Sequence, residues 1–226
     1  NSYWQGKGEY LATGDALNVE LGDSTWDMTA DSRLSSLTLN NSNVNFVSDI
    51  TGGTFETLEV NDLSGNGTFA MRTDIAALQG DLLSVTGTSA GSHGLHIPNQ
   101  GSAGVDPTQE LNVVQTADGV AAFALKNNVE VGGYQYGLHR DGVNSNNWNL
   151  YSTGKATPAA NAVISIANGA YLLNYAETQT LMQRMGDLRQ SESQGNIWAR
   201  AYGGKFESSS DSFLSGFDMT YSGMQV

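Results

Sequence analysis

The 226-residue chain contains no cysteine, which removes disulfide scaffolds, zinc–thiolate sites and cysteine nucleophiles together. Nothing would lock it prematurely if it had to cross a membrane unfolded. No apolar run approaches the ~18 residues of a membrane helix, and Asn1-Ser2-Tyr3-Trp4 lacks the basic start and apolar stretch of a signal peptide. If exported, the chain is expected to be a processed or excised piece. Proline is scarce, at 3 residues, and charge low, at 15%, beside 27 glycines and abundant Asn, Ser and Thr. Such a composition makes many turns and few long helices, and it favours an all-β fold. Positive charge is nearly missing from the front: residues 1–125 hold 15 acidic residues against Lys7, Arg33 and Arg72, in a chain of net charge −13. An acidic surface repels phosphate backbones and anionic membranes, so nucleic acid is excluded as a partner.

What the chain has instead is repetition. A Leu-x-Val/Leu motif returns at Leu17, Leu37, Leu58, Leu83 and Leu111, at intervals of 20, 21, 25 and 28 residues. Short apolar pairs at this period, separated by Gly/Asn/Asp turns, predict a β solenoid, and specifically a right-handed parallel β-helix. One coil cannot bury its own Leu, Val and Phe side chains; stacked coils join them into one column. The open end of such a stack templates aggregation and must be covered.

The stretch Glu110–Tyr151 stands where that cover is needed. It reads as a run of antiparallel strands at Leu111–Val114, Ala121–Leu125, Tyr134–Leu138 and Trp148–Tyr151. The turn signals between them are Asp118-Gly119, Asn127-Asn128, Gly132-Gly133 and Asp141-Gly142 with Asn144–Asn147. Its expected core is Val113, Phe123, Leu125, Tyr134, Tyr136, Leu138 and Trp148. Beyond it, Ser152–Ala160 reads as a small-residue linker, and Tyr171–Met185 as an amphipathic helix of roughly 22 Å, broken near Gly186. Last comes Asn196-Ile-Trp-Ala-Arg-Ala-Tyr-Gly-Gly204 and, after a polar turn at 208–211, a run with Phe213, Phe217, Met219 and Tyr221 on one face against Leu214, Gly216, Asp218 and Thr220. This is the dyad pattern of a transmembrane β-strand, and equally of an ordinary half-buried hairpin.

Chemistry is thinly represented. His93-Gly-Leu-His96 lies in the Gly/Ser-rich stretch 87–104 without a third ligand in sequence, and reads as an exposed loop. Gly22-Asp23-Ser24 has the look of a nucleophile context, but no histidine precedes it and the residues that follow do not fit. Asp15, Asp23, Asp27, Asp31, Asp62, Asp74 and Asp81 could align on stacked coils as calcium or polysaccharide-cleaving clusters; most fall in predicted turns, where Asp serves its own backbone. No catalytic, cofactor or metal residue is assigned, and no enzymatic activity is expected.

Several blocks carry a resemblance. Trp26-Asp-Met-Thr-Ala-Asp-Ser-Arg-Leu34-Ser-Ser-Leu37-Thr-Leu39-Asn-Asn-Ser42-Asn-Val44-Asn-Phe46 resembles the coil pattern of pertactin-like and AIDA-type autotransporter passengers, and Leu58–Met71 with Asp81–Val85 is similar to the next coils. Leu111–Leu150, with Val113-Val-Gln-Thr116 and Gly133-Tyr-Gln-Tyr-Gly-Leu138, looks like the autochaperone region of that family. The order helix, Trp198-Ala-Arg-Ala-Tyr-Gly-Gly204, alternating hairpin is similar to the start of its translocator barrel. The resemblance implies a type Va autotransporter in four parts. Residues 1–109 would be the C-terminal coils of a β-helical passenger and 110–151 an autochaperone cap. Residues 152–190 would be a linker and pore-threading helix, and 191–226 the first strands of an outer-membrane β-barrel, incomplete because closure needs at least ~8 strands. It implies export through the periplasm to the outer membrane and cell surface. The implied partners are the remainder of the chain's own barrel and the outer-membrane assembly machinery, with a host-surface protein or another copy possible for an adhesin or virulence factor. Some members cut themselves between two Asn residues in the barrel helix; Thr178–Met185 has no such pair. The alternatives are a surface adhesin or self-association module acting directly through the coils, and a β-helical polysaccharide-active enzyme.

Overall fold

The computed structural model describes residues 2–10, 14–47, 54–102, 104–141, 146–190 and 199–225. Contacts divide the chain into two units, Asn1–Gly154 and Lys155–Val226.

The first unit is a parallel β-helix. Its strands are β1 (Tyr3–Gln5), β2 (Asn18–Gly22), β3 (Thr25–Met28), β4 (Ser32–Phe46), β5 (Thr57–Ala70), the short hairpin β6 (Thr73–Asp74) and β7 (Gln79–Gly80), β8 (Leu82–Val85) and β9 (Ser92–His96). The fifteen-residue β4 aims Leu34 inward, changes phase across Ser35–Ser36 to aim Leu37 and Leu39 inward, then slips again at Asn40–Asn41 and resumes with inward Val44 and Phe46. The second slip is a bulge with Asn41 in the left-handed region at φ 51°, and it turns a corner. One strand thus lies on two faces: its first half pairs with β2 and its second with β3, both in parallel. Below β4, β5 stacks in parallel along nearly its whole length, and β8 and β9 stack on the two halves of β5.

Alternation aims one residue in two into the stack, and the register lines those residues up. Trp26, Val44, Phe69 and Leu95 form one interior column, and Leu34, Val60 and Val85 another. Each full burial of such a side chain contributes about 1.5–3 kcal/mol. At the top, Trp4 stacks on Trp26 with ring centroids 4.5 Å apart. Polar ladders run outside: Asn45 Nδ2 donates to Asp27 Oδ1 at 2.7 Å, and Thr38 and Ser64 bond at 3.0 Å.

The register corrects the repeat read from sequence. Leu58 stacks on Leu83 as the motif implies, but Leu37 lies under Val19 and over Leu63, while Leu83 meets Val114. The coil spacing is 22 residues at the top, 18 at the next step, 25–26 from β4 to β8 and 31 at the bottom. The reason is the corner in β4 and β5: each long strand carries two apolar runs on different faces, so the same two-residue motif marks different positions around the coil. The stretch Gly87–Gly104 is likewise no plain loop, because Ser92–His96 forms β9.

Within the second unit, α1 (Pro158–Gln190) runs 33 residues, roughly 50 Å, without a break at Gly186. It begins earlier than expected because Thr157-Pro158 is a start signal. The Thr157 hydroxyl accepts from the Ala160 amide at 3.1 Å, and proline occupies the first helical position. No helix among the described residues is long and apolar enough to cross a membrane. The hairpin β15 (Arg200–Ser208) and β16 (Phe217–Gln225) pairs antiparallel from Arg200↔Gln225 to Ser208↔Phe217. Phe217, Met219 and Tyr221 share a face as expected. Phe213 does not join it, because Asp211 Oδ1 accepts from the Phe213 and Leu214 amides and holds them in the turn. That apolar face, with Tyr202 and Phe206, is half-buried and turned to α1 within this unit, where the Tyr202 hydroxyl donates to Glu177 at 3.2 Å. Two strands form no closed wall, so these side chains bury against the helix. Asn196, Ile197 and Trp198 lie outside the described residues, as do Gly142–Ser145.

Candidate functional site

The lower end of the first unit is where the sheet changes kind. Here β10 (Leu111–Thr116) lies parallel on β8, while β14 (Trp148–Ala156) runs antiparallel along its other edge. Beyond it the sheet continues through β13 (Tyr134–Arg140) to β12 (Val129–Val131), and these two form a tight antiparallel hairpin. Gly132 and Gly133 supply its turn with φ of 60° and 85°, the conformation a two-residue hairpin loop requires. The expected linker residues Ser152–Ala156 are part of β14. Strand β11 (Ala122–Leu125) departs from expectation: it pairs in parallel with β9, and so is a last coil segment instead of an antiparallel cap strand.

The change of direction leaves a bulge between Asn112 and Val114. The Asn112 side chain fills it. Its Nδ2 donates to Asn149 Oδ1 at 2.9 Å and reaches the Val114 and Trp148 carbonyls at 3.2 and 3.3 Å. Gln115 Nε2 in turn donates to Asn112 Oδ1 at 2.9 Å. Glu110 ties two strands, accepting from Asn149 Nδ2 at 3.1 Å and contacting His139 Nε2 at 2.8 Å. The bonds from His139, then Asn149, hold its carboxyl below the ordinary glutamate range. Asn127 extends the last coil past β11: its Oδ1 accepts from the Ile97 amide at 2.8 Å and its Nδ2 donates to the Ile97 carbonyl at 3.0 Å. Asp118 receives the Ser89 amide at 2.7 Å and the Ser89 hydroxyl, and joins the turn after β10 to the coil above.

Of the core residues expected from sequence, Val113, Phe123 and Tyr136 are buried, and Leu125, Tyr134, Leu138 and Trp148 are partly buried and packed against the same core. The structure brings Phe123 and Trp148 edge to face at 5.7 Å, with the Arg140 guanidinium over the Trp148 ring at 5.1 Å. Sequence reasoning missed Leu111, Val129, Val131 and Leu150, all buried. Val129-Glu-Val131 alternates before Gly132-Gly133, a signal short enough to overlook. It also missed His93. The ring is buried and sits between Phe69 and Phe123, because position 93 of β9 points inward while His96 points out. The two histidines therefore lie on opposite faces and are no metal pair.

The carboxylates serve turns and ladders. Asp31 accepts the Thr57 amide, Asp62 the Thr88 amide and hydroxyl, and Asp74 the Ala77 amide. Asp81 is buried in a two-point ion pair with Arg72, Oδ1 to Nη2 at 2.6 Å and Oδ2 to Nε at 2.9 Å, and accepts the Glu56 amide at 2.8 Å. No three His, Asp or Glu residues among those described group as a metal site. On the flank above β11 lies a shallow groove of about 300 Å³ bordered by Asn43, Thr68, Gly94, Ala124 and Lys126.

The pertactin family pattern matches residues 34–152. The chain is similar to the probable autotransporter YcgV of Escherichia coli K12, at 41% identity over 94% of this chain and 26% of that one. It is also similar to the autotransporter adhesin/invasin TibA of an enterotoxigenic E. coli, at 40% over 59% of this chain and 14% of that one. Among solved structures, the Haemophilus influenzae Hap adhesin superposes with a TM-score of 0.56 at 29% identity, over 67% of this chain and 16% of that one. The chain thus spans about a quarter or less of the length of these relatives. A stack of parallel coils closed by an antiparallel sheet, together with these matches, places the chain in the pertactin family of autotransporter passengers, proteins of the bacterial outer membrane and cell surface.

Proposed function

We propose that residues 110–151 are an autochaperone cap that starts the folding of the passenger outside the cell and so favours its export. The observation that carries this reading is the switch at β10, one edge parallel to the coil above and the other closed by β14, β13 and β12. A unit containing a tight hairpin forms from close neighbours in sequence, then presents a β edge on which the next coil can pair. Coils 1–109 would zip onto it. Residues 152–190 would thread the pore, and 191–226 would join the rest of a barrel placed by the outer-membrane assembly machinery. The alternation on β15 and β16 and the several exposed apolar residues of α1, among them Val163, Ile166 and Tyr171, support that role. The parent protein is read as an adhesin or virulence factor, binding a host-surface protein or another copy, because relatives carry the names of adhesins; no enzymatic role is assigned.

Surface display of the full-length protein tests this. Tyr136→Ala in the cap and Leu37→Ala in an upper coil each cost about 2–5 kcal/mol of packing. Display should fall sharply for Tyr136→Ala and much less for Leu37→Ala. Equal losses from the two, or normal display with a demonstrably destabilised cap, would overturn the proposal.

A further inference from the structure

The aromatic column at the bottom of the coil stack contains one titratable ring. His93 on β9 lies between Phe69 of β5 at 5.7 Å and Phe123 of β11 at 5.5 Å, and the residue is 3% exposed. Its Nε2 is 3.1 Å from the Ala90 carbonyl oxygen. A carbonyl only accepts, so Nε2 carries the hydrogen and donates it. That assigns the lone pair to Nδ1, which is buried and has no hydrogen-bond partner among the described residues. The neutral ring fits this column. The imidazolium does not, since its second proton would be a buried charged donor with no acceptor among the described residues.

Other charged or titratable groups on the surrounding elements give no relief. His96 of β9 points to the opposite face, and Asp118, after β10, is engaged by Ser89. On β5, Asp62 is held by Thr88 and Glu59 by Arg33. Lys126, at the end of β11, borders the groove beside His93 and can only add repulsion. Arg140, over Trp148 on the far side of Phe123, is likewise a cation.

We propose that His93 is an acid-sensitive latch on the last coil: neutral, its ring packs β11 onto β9 and β5; protonated, it loosens β11 and the cap that packs on Phe123 through Trp148. Burial pushes the ring below the ordinary histidine value, with the Ala90 bond opposing. The direction of the linkage follows. Above the unfolded-state value of ~6.5, neither state carries the proton and stability is full. As pH falls below ~6.5 the unfolded chain takes the proton first, and unfolding is favoured by up to about tenfold per pH unit until the folded-state value is passed. This device concerns the stability of the last coil and stands whether or not the cap guides export.

Urea unfolding of the chain between pH 8 and pH 5 tests it, with His93→Phe and His139→Gln variants. The wild-type midpoint should fall across pH 6.5 to 5, His139→Gln should fall with it, and His93→Phe should lose that part of the pH dependence. Hydrogen exchange at pH 5.5 should rise first in β9 and β11. A second measurement, NMR titration of the His93 ring in the native wild type, needs no variant to fold: the ring should remain the neutral Nε2–H tautomer at pH 6. The proposal is overturned if His93 titrates near 6.5 in the native state, or if His93→Phe keeps the full wild-type pH dependence.

Discussion

The coil stack and the cap use the same strands and hydrogen bonds but close their loops over different distances. Every parallel ladder described joins residues 18 to 31 positions apart; in the cap β10 and β14 pair across 34 to 39, but β12 and β13 meet across two glycines. By loop-closure entropy the longer closures cost roughly 1–2 kcal/mol more each, before any interior column exists to offset them. The stack is therefore stable through its neighbours and the cap partly through itself. The two regions also solve their polar problem differently. The stack buries an ion pair, Arg72–Asp81, at one of its corners, while the cap spends neutral Asn112 and Asn149 on a bulge.

That contrast can be broken in the stack first. Asp81→Ala takes the two-point partner from the buried Arg72 guanidinium, leaving it the Glu56 carboxylate at 3.8 Å, and removes the acceptor of the Glu56 amide as well. It should cost about 3–5 kcal/mol in equilibrium unfolding, with the upper coils melting while the hairpin β12–β13 keeps its exchange protection. Simultaneous loss of both regions would erase the distinction drawn here.

A corner of the stack gives the next effect. Gly91 has φ 94°, and a Cβ there would sit 1.8 Å from the Gly65 carbonyl oxygen of the coil above. Gly91→Ala must shift backbone as well as adopt a disfavoured conformation, at about 3 kcal/mol in thermal or urea unfolding. No glycine of the cap meets a stacked backbone this closely among the contacts described, so Gly119→Ala, strained at φ 66° but facing only the Asn146 side chain, should cost less. The cap's own weak point is Asn112. Asn112→Ala frees the Val114 and Trp148 carbonyls, and should cost about 1–3 kcal/mol, felt in β14 before β8.

The sequence made the solenoid, its lengthening coils and most of the closing strands visible, because inward Leu and Val recur and Gly132-Gly133 can mean little else than a hairpin. It hid the register, since Leu-x-Val pairs look alike on every face of a coil, and Leu37 pairs with Leu63, not Leu58. It hid His93 for a related reason. A Gly/Ser-rich run reads as loop until Phe69 and Phe123 are known to stack above and below it as coils. The start of α1 was legible in Thr157-Pro158 but masked by the small residues that follow, and the switch at β10 was not legible at all. Val113-Val114 has the same appearance whether its neighbour runs parallel or antiparallel, and only Asn149, 37 residues from Asn112, decides it.

The smallest effect sharpens the comparison through pH. Glu110 lies at the start of β10 and accepts from His139 and Asn149, so its carboxyl is held below the ordinary glutamate range. A depressed carboxyl contributes stability that is complete above its unfolded-state value of ~4.3 and is lost as pH falls through the lower folded-state value. Both Glu110 and His139 are more than a third exposed, so solvent screening reduces the contribution to a fraction of a kcal/mol. Glu110→Gln should therefore flatten the acid limb of cap stability below about pH 4.3 while leaving the fall between pH 6.5 and 5 untouched. If Glu110→Gln also removed the higher fall, the two regions would share one acid response, and the latch at His93 and the tie at Glu110 would be the same event.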